Sequence, residues 1–406
     1  MPSTAEVAAA YHQLAAKKTK LAAQLTLVIQ RNYLPWKIPL IGRRFHWNAI
    51  WHHRMAIEIA CQMKEGKDWA TYLDQLEEYH KQYSQLYSTM PLCSNKSVSH
   101  YVGQCALDAL LNKVNEKNIV TLAAAFNRIV KDGAFTEGGH YSKYVTDCFD
   151  RTDKLFAEWY GTHPNGVLRQ SYLDISNSLR KVKEWQQRIS DSDGYMAVLG
   201  DGWHEAVEPT DEQGVFYYSD MTIHRQSGWL AIKNHRQNKF SLHQHPHCDE
   251  ILIAHNNDWL IKGSGMPSYK HVMRNPLKWR RPRNHFFTES RLDYWSIWRF
   301  RKRWSRDMAN NRVVEIDGST LTIQDTSKKV IRFPGVRADI AERGKQEYNK
   351  FEWRYGKFTF VVEGINIKLL GADTAHAATT YGNETDIPVV RVKGENVTTR
   401  ITVNDK

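Results

Sequence analysis

The chain has no Cys-x-x-Cys pair, and its five cysteines, Cys61, Cys93, Cys105, Cys148 and Cys248, are odd in number and dispersed over 406 residues. That excludes a zinc knuckle built on paired cysteines and argues against a disulfide framework, so reduced thiols are expected. No apolar run approaches the roughly 20 residues that span a bilayer as a helix, and no membrane partner is expected. The first 30 residues carry Lys17, Lys18 and Lys20 ahead of only a short apolar patch, which is unlike a secretory leader. A soluble protein without a cleaved signal is therefore expected. Internal repeats and low-complexity linkers are missing as well, so the domains are expected to pack directly on one another.

Acidic side chains are also in deficit. Forty-four Asp and Glu stand against 56 Lys and Arg, a formal net charge of +12. Such an excess favours an anionic partner: a nucleic acid, an acidic polysaccharide or a membrane surface. No nucleic-acid recognition motif accompanies it. The densest run, Lys278-Trp-Arg-Arg-Pro-Arg283, and its echo Trp298-Arg-Phe-Arg-Lys-Arg-Trp304 interleave bases with aromatics, although a solvated basic face would read the same way. Fourteen Trp and 19 Tyr supply faces on which sugars or bases stack.

At 406 residues two domains are the natural expectation. From Ala5 to about Ser190, apolar residues recur at spacings of three and four, as in Val102 to Val114, Ile119 to Val130, Tyr144 to Trp159 and Tyr172 to Ile189. Beyond Asp191 the runs are short, β-branched or alternating, as in Gly228 to Lys233, Ile251 to Ile261, Thr320 to Asp325, Lys357 to Glu363, Ile365 to Leu370 and Pro388 to Val392. A helical domain over residues 1–190 and an antiparallel β-sandwich over 191–406 are expected.

Two helical-half loops and one strand could carry chemistry. Ser94-Asn95-Lys96-Ser97 precedes an apolar helix and equally suits a helix N-cap. Lys131 to Tyr144 is glycine-rich and presents His140 beside Tyr141, whose phenol, exposed near a cation, would serve as a base. In Ser241-Leu-His-Gln-His-Pro-His-Cys-Asp249, alternation puts His243, His245, His247 and Asp249 on one face of a strand, a row that could bind a metal, move protons or hold an anion. His243-x-His245 followed by Glu250 also has the spacing of a cupin-like metal site, without the glycine expected after the glutamate.

Taken in order, four stretches resemble the heparinase II/III-like polysaccharide lyases. They are Ser94-Asn95-Lys96, Asp132-Gly-Ala-Phe-Thr-Glu-Gly-Gly-His-Tyr141, Asp193-Gly-Tyr-Met-Ala-Val-Leu-Gly-Asp201, and His245-Pro-His-Cys-Asp249 with Trp259-Leu-Ile-Lys-Gly-Ser-Gly265. The resemblance implies an incomplete α/α toroid followed by an antiparallel β-sandwich, and β-elimination on a uronate-containing acidic polysaccharide. By that resemblance Asn95 neutralises the C6 carboxylate, Tyr141 and His245 divide the roles of base and acid, and Tyr269 is a further substrate-contacting or proton-donating phenol. Lys96, His140, Arg236, His243, Arg280, Arg281 and Arg283 are the candidate substrate-binding residues. Some members of the family hold a structural zinc, for which His247 and His285 are the matching candidates, with Asp249 as a substitute ligand. Lys262 stands where a ligating aspartate is expected, which favours a metal-free site. A uronate lyase without a leader would suit internal glycan turnover or a phage-encoded depolymerase. A binding protein that kept this fold without the activity is the non-catalytic alternative.

Overall fold

The computed structural model describes residues 95–199, 202–234, 251–261, 312–325, 329–334, 345–380 and 383–404. The chain divides into two compact units, one of Met1–Val130 with Tyr144–Arg180, the other of Lys131–Lys143 with Lys181–Lys406. Among the described residues it holds helices α1 (Asn95–Leu110), α2 (Glu116–Ile129), α3 (Gly139–Phe156) and α4 (Gly166–Arg188), with a π-turn over Ala157–Gly161 after α3.

In the first unit, Val98, Val102, Cys105 and Ala106 recur at spacings of three and four along α1, and Ile119, Leu122 and Phe126 do so along α2. All are fully buried, and the two helices pack together. Phe126 meets Phe149 of α3 at 5.2 Å between ring centroids, and the series continues through Phe156 to Tyr160. The extra residue of the π-turn accompanies a buried Tyr160 whose hydroxyl donates to the Cys105 carbonyl at 2.8 Å, so the phenol is satisfied inside the core. The His163-Pro-Asn-Gly166 turn ends with an N-cap: Asn165 Oδ1 accepts from the backbone N–H groups of Val167 and Leu168.

Asn95, Lys96 and Ser97, expected as a loop ahead of the helix, are part of α1. Ser97 and Ser99 are buried, and the Ser99 hydroxyl donates to the Asn95 carbonyl four residues back, which satisfies it within the helix.

In the second unit, β3 (Gly214–Tyr217), β4 (Met221–Gln226), β5 (Trp229–Asn234), β6 (Ile251–His255) and β7 (Asp258–Ile261) form an antiparallel sheet in that order. The Ile251 to Ile261 run is a hairpin, not one strand, because Asn256 takes a positive φ of 53° and turns the chain. Four consecutive β6 residues, Ile251 to Ala254, are buried, so both faces of this sheet are covered.

A seven-stranded antiparallel sheet follows: β11 (Lys345–Glu347), β12 (Lys350–Tyr355), β13 (Phe358–Thr380), β14 (Asn383–Val403), β9 (Thr320–Asp325) and β8 (Arg312–Asp317) in order, with β10 (Lys329–Pro334) also on β14. Lys357 to Glu363 and Ile365 to Leu370, expected as separate strands, are parts of β13. Bulges between Glu363 and Ile365 and between Ile365 and Lys368 let the strand bend without ending. One hydrophobic cluster draws Trp229, Ala231, Ile251 and Ile253 from the first sheet and Leu321, Ile323, Phe360, Val362 and Ile401 from the second.

Arg225 of β4 ties the end of α4 to this unit. Its guanidinium donates to the carbonyls of Arg188, Ser190, Thr210 and Glu212, which places a cation on carbonyls at a helix C-terminus.

Candidate functional site

The glycine-rich stretch after α2 is a structured approach to α3. Val130–Lys131 (β1) and Ala134–Phe135 (β2) pair as a minimal hairpin around Asp132 and Gly133, whose φ angles of 54° and 95° are the two positive values a type I′ turn needs. This strand pair stands in the half of the sequence expected to be all-helical. Gly138 follows with φ of 92°, and a Cβ there would lie 2.2 Å from the Leu199 carbonyl oxygen, so glycine alone lets segments 136–139 and 196–199 meet. Helix α3 then begins at Gly139, which puts His140 and Tyr141 in its first turn. Tyr141 is 4% exposed. The expected phenol exposed on a loop is therefore corrected to a buried one on a helix, because α3 starts one residue after the Gly138 contact and its first turn is covered.

The ring of His140 is held on two sides. Its Nδ1 lies 2.7 Å from Glu205 Oε1, and its centroid is 3.9 Å from that of Trp203, with Tyr141 edge-on at 5.0 Å. The His140 and Glu205 side chains are 15% and 28% exposed, so the pair is accessible at one side. Gly202 makes the approach possible: a Cβ at that position would sit 2.6 Å from the His140 Cβ.

A polar framework holds the 191–205 segment that supplies Trp203 and Glu205. Asp191 Oδ1 accepts from the backbone N–H groups of Asp193 and Tyr195, and Asp191 Oδ2 accepts from Trp259 Nε1 of β7 at 2.7 Å. Burial raises the Asp191 carboxyl above its ordinary value against the pull of those hydrogen bonds. Asn257 Nδ2 donates to Asp193 Oδ2, and Met196 N–H donates to the Glu205 carbonyl. His204 Nδ1 pairs with the Met196 carbonyl at 2.8 Å, and its ring lies 5.6 Å from Trp259.

Of the residues singled out in the sequence, His140 and Tyr141 are thus brought together in the second unit. Asn95 is buried at the start of α1, and half-buried Lys96 follows it, both in the first unit. Arg236, His243, His245, His247, Asp249, Tyr269, Arg280, Arg281, Arg283 and His285 lie outside the described residues. Among the described residues no group of three or more His, Cys, Asp or Glu is arranged to hold a metal, and no helix is long and apolar enough to cross a membrane.

Sequence reasoning passed over Glu205 and Trp203. The signal was the Gly202-Trp-His-Glu205 string directly after the Asp193 to Asp201 stretch, where glycine, aromatic and carboxylate stand together.

No protein-family model matches the chain, and no curated protein matches it. Solved structures do. Heparinase III superposes with a TM-score of 0.64 at 12% identity, covering 98% of this chain and 76% of that one. A mutant of the heparan sulfate lyase HepC from Pedobacter heparinus gives a TM-score of 0.61 at 12% identity over 98% and 75% of the two chains. At such identity the likeness is one of fold, and it shows that this chain, with its helices and antiparallel sheets, is folded like polysaccharide lyases.

Proposed function

We propose that the protein is a polysaccharide lyase that cleaves an acidic, uronate-containing polysaccharide by β-elimination. The observation that carries this reading is the fold likeness to heparinase III and to a heparan sulfate lyase over 98% of the chain, joined to the order of the four motif stretches. In this reading the fold is an incomplete toroid over about residues 1–190 with a sandwich over 191–406.

Abstracting the C5 proton of a charged uronate builds negative charge beside an existing carboxylate, so a donor aimed at that carboxylate supplies the largest stabilisation. Asn95 takes that role. Tyr141 and His245 exchange the C5 proton and the proton delivered to the leaving glycosidic oxygen, with Tyr269 a further phenol at the substrate. Lys96, His140, Arg236, His243, Arg280, Arg281 and Arg283 contact the polysaccharide, the lysine and the arginines by their charge. His247, Asp249 and His285 have the donor chemistry for zinc, which would be structural and take no part in the elimination.

The test is ultraviolet absorbance on a panel of heparan sulfate, hyaluronan, chondroitin, alginate and bacterial capsules, with and without chelator. Growth of the unsaturated-uronate chromophore on one of them is expected, unaffected by chelator. Silence on all of them, with tight binding to one, would replace catalysis with carbohydrate binding.

A further inference from the structure

The dyad of His140 and Glu205 and its covering indole go beyond that reading. An ionised carboxylate has acceptors and no donor, so the 2.7 Å contact requires the proton of a neutral His140 to sit on Nδ1. The lone pair then falls to Nε2, for which no partner is found among the described residues. Trp203 lies against the ring at 3.9 Å, and Tyr141 meets it edge-on, so the imidazole is fixed in tilt as well as in tautomer. The backbone N–H of Met196, donating to the Glu205 carbonyl, and the close approach of Gly202 to His140 hold the carboxylate and the indole in place.

We propose that Glu205 and Trp203 are positioning residues that fix His140 as a hydrogen-bond acceptor for a sugar hydroxyl. The substrate class follows from the chemistry: when the imidazole is neutral, its Nε2 accepts from a proton donor, which on a pyranose ring is a hydroxyl. This places a hydroxyl-reading contact next to Tyr141 and divides the labour between it and the cationic residues that hold the charge. The inference rests on the lyase reading only for its kinetic consequence, since the tautomer and the contact are properties of the folded chain.

The experiment is nitrogen NMR of the histidine side chains in the full chain, with His140→Asn used to assign the resonance, repeated with a heparan sulfate oligosaccharide. The wild type is expected to show a protonated Nδ1 and a bare Nε2, and the oligosaccharide is expected to move Nε2 more than Nδ1. Glu205→Gln keeps the size of the side chain but offers a donor as well as an acceptor, so it is expected to give a mixture of tautomers. In the absorbance assay it is expected to raise KM about fivefold to tenfold, the worth of about one hydrogen bond, while kcat stays within about twofold. Glu205→Asp restores the Nδ1–H tautomer in part. A wild-type ring protonated on Nε2, an Nε2 unmoved by saturating oligosaccharide, or an unchanged tautomer in Glu205→Gln would overturn the proposal. Loss of the chromophore in wild type with the nitrogen pattern intact would sink the lyase reading and leave the dyad standing.

Discussion

Replacing Asp191 with alanine should loosen the segment that carries Trp203 and Glu205. The carboxylate accepts three hydrogen bonds, from Trp259 Nε1 at 2.7 Å, Tyr195 N at 2.8 Å and Asp193 N at 3.0 Å. Hydrogen bonds to a charged acceptor contribute about 1.5–3 kcal/mol each, which bounds the gross loss at about 5–9 kcal/mol. Two effects reduce it. The freed N–H groups are only partly buried and regain water, and alanine removes a carboxylate whose burial already disfavours its charge. A net loss of about 3 kcal/mol remains, or about 6–12 °C in Tm for a body of this size. Asp191→Asn keeps one oxygen for the backbone donors but turns an amide donor towards Trp259, so about half of that loss is expected. Denaturant unfolding followed by tryptophan fluorescence measures both, and Trp259→Phe completes a double-mutant cycle with a coupling of about 1 kcal/mol. An Asp191→Ala loss below about 1 kcal/mol, or no coupling to Trp259, would refute the framework.

Three further outcomes are expected. Tyr141→Phe, which removes one buried hydroxyl, should lower kcat on the cleaved polymer about a hundredfold or more while leaving the fold intact, as circular dichroism would verify, and His245→Ala should do the same; wild-type rates in both would remove them from the site. Gly138→Ala meets the Leu199 carbonyl at 2.2 Å in a conformation with φ of 92°, so a loss of about 2–4 kcal/mol is expected by denaturant titration, and a neutral result would contradict the close approach. His255 has its pKa lowered below the ordinary 6.5, first by burial, with its ring 4.8 Å from Trp229 and 5.9 Å from Phe358, and then by Lys357. A depressed value means the unfolded chain binds the proton first, so stability is full above pH 6.5 and falls as pH drops through the folded value. His255→Gln should flatten that acid limb, and an unchanged slope of stability against pH below neutrality would contradict it.

Much of the architecture was legible because its signals are local. The three-and-four spacing of Ile119, Leu122 and Phe126 names the buried face of α2, and Thr320 to Asp325 is the observed β9. Failures came where distant residues decide. Asn95 reads as a cap in its local string, and it is a buried residue of α1. Tyr141 reads as a loop phenol because Gly138-Gly139 looks like a turn, whereas Gly138 serves a contact with Leu199, 61 positions away. The 65-residue separation of His140 from Glu205 hides their pairing from any local pattern. The glycines and the adjacent His-Tyr pair are local signals, and long-range packing fixes their geometry.

Cleavage of whichever polymer of the panel yields the chromophore, run in water enriched with heavy oxygen, tests elimination most directly by the mass of the products. Elimination breaks the bond between C4 of the uronate and the glycosidic oxygen without adding water, so fragments whose new non-reducing end is an unsaturated uronate, lighter by one water than hydrolytic fragments, are predicted. Saturated products carrying heavy oxygen would mean hydrolysis, and would contradict the account.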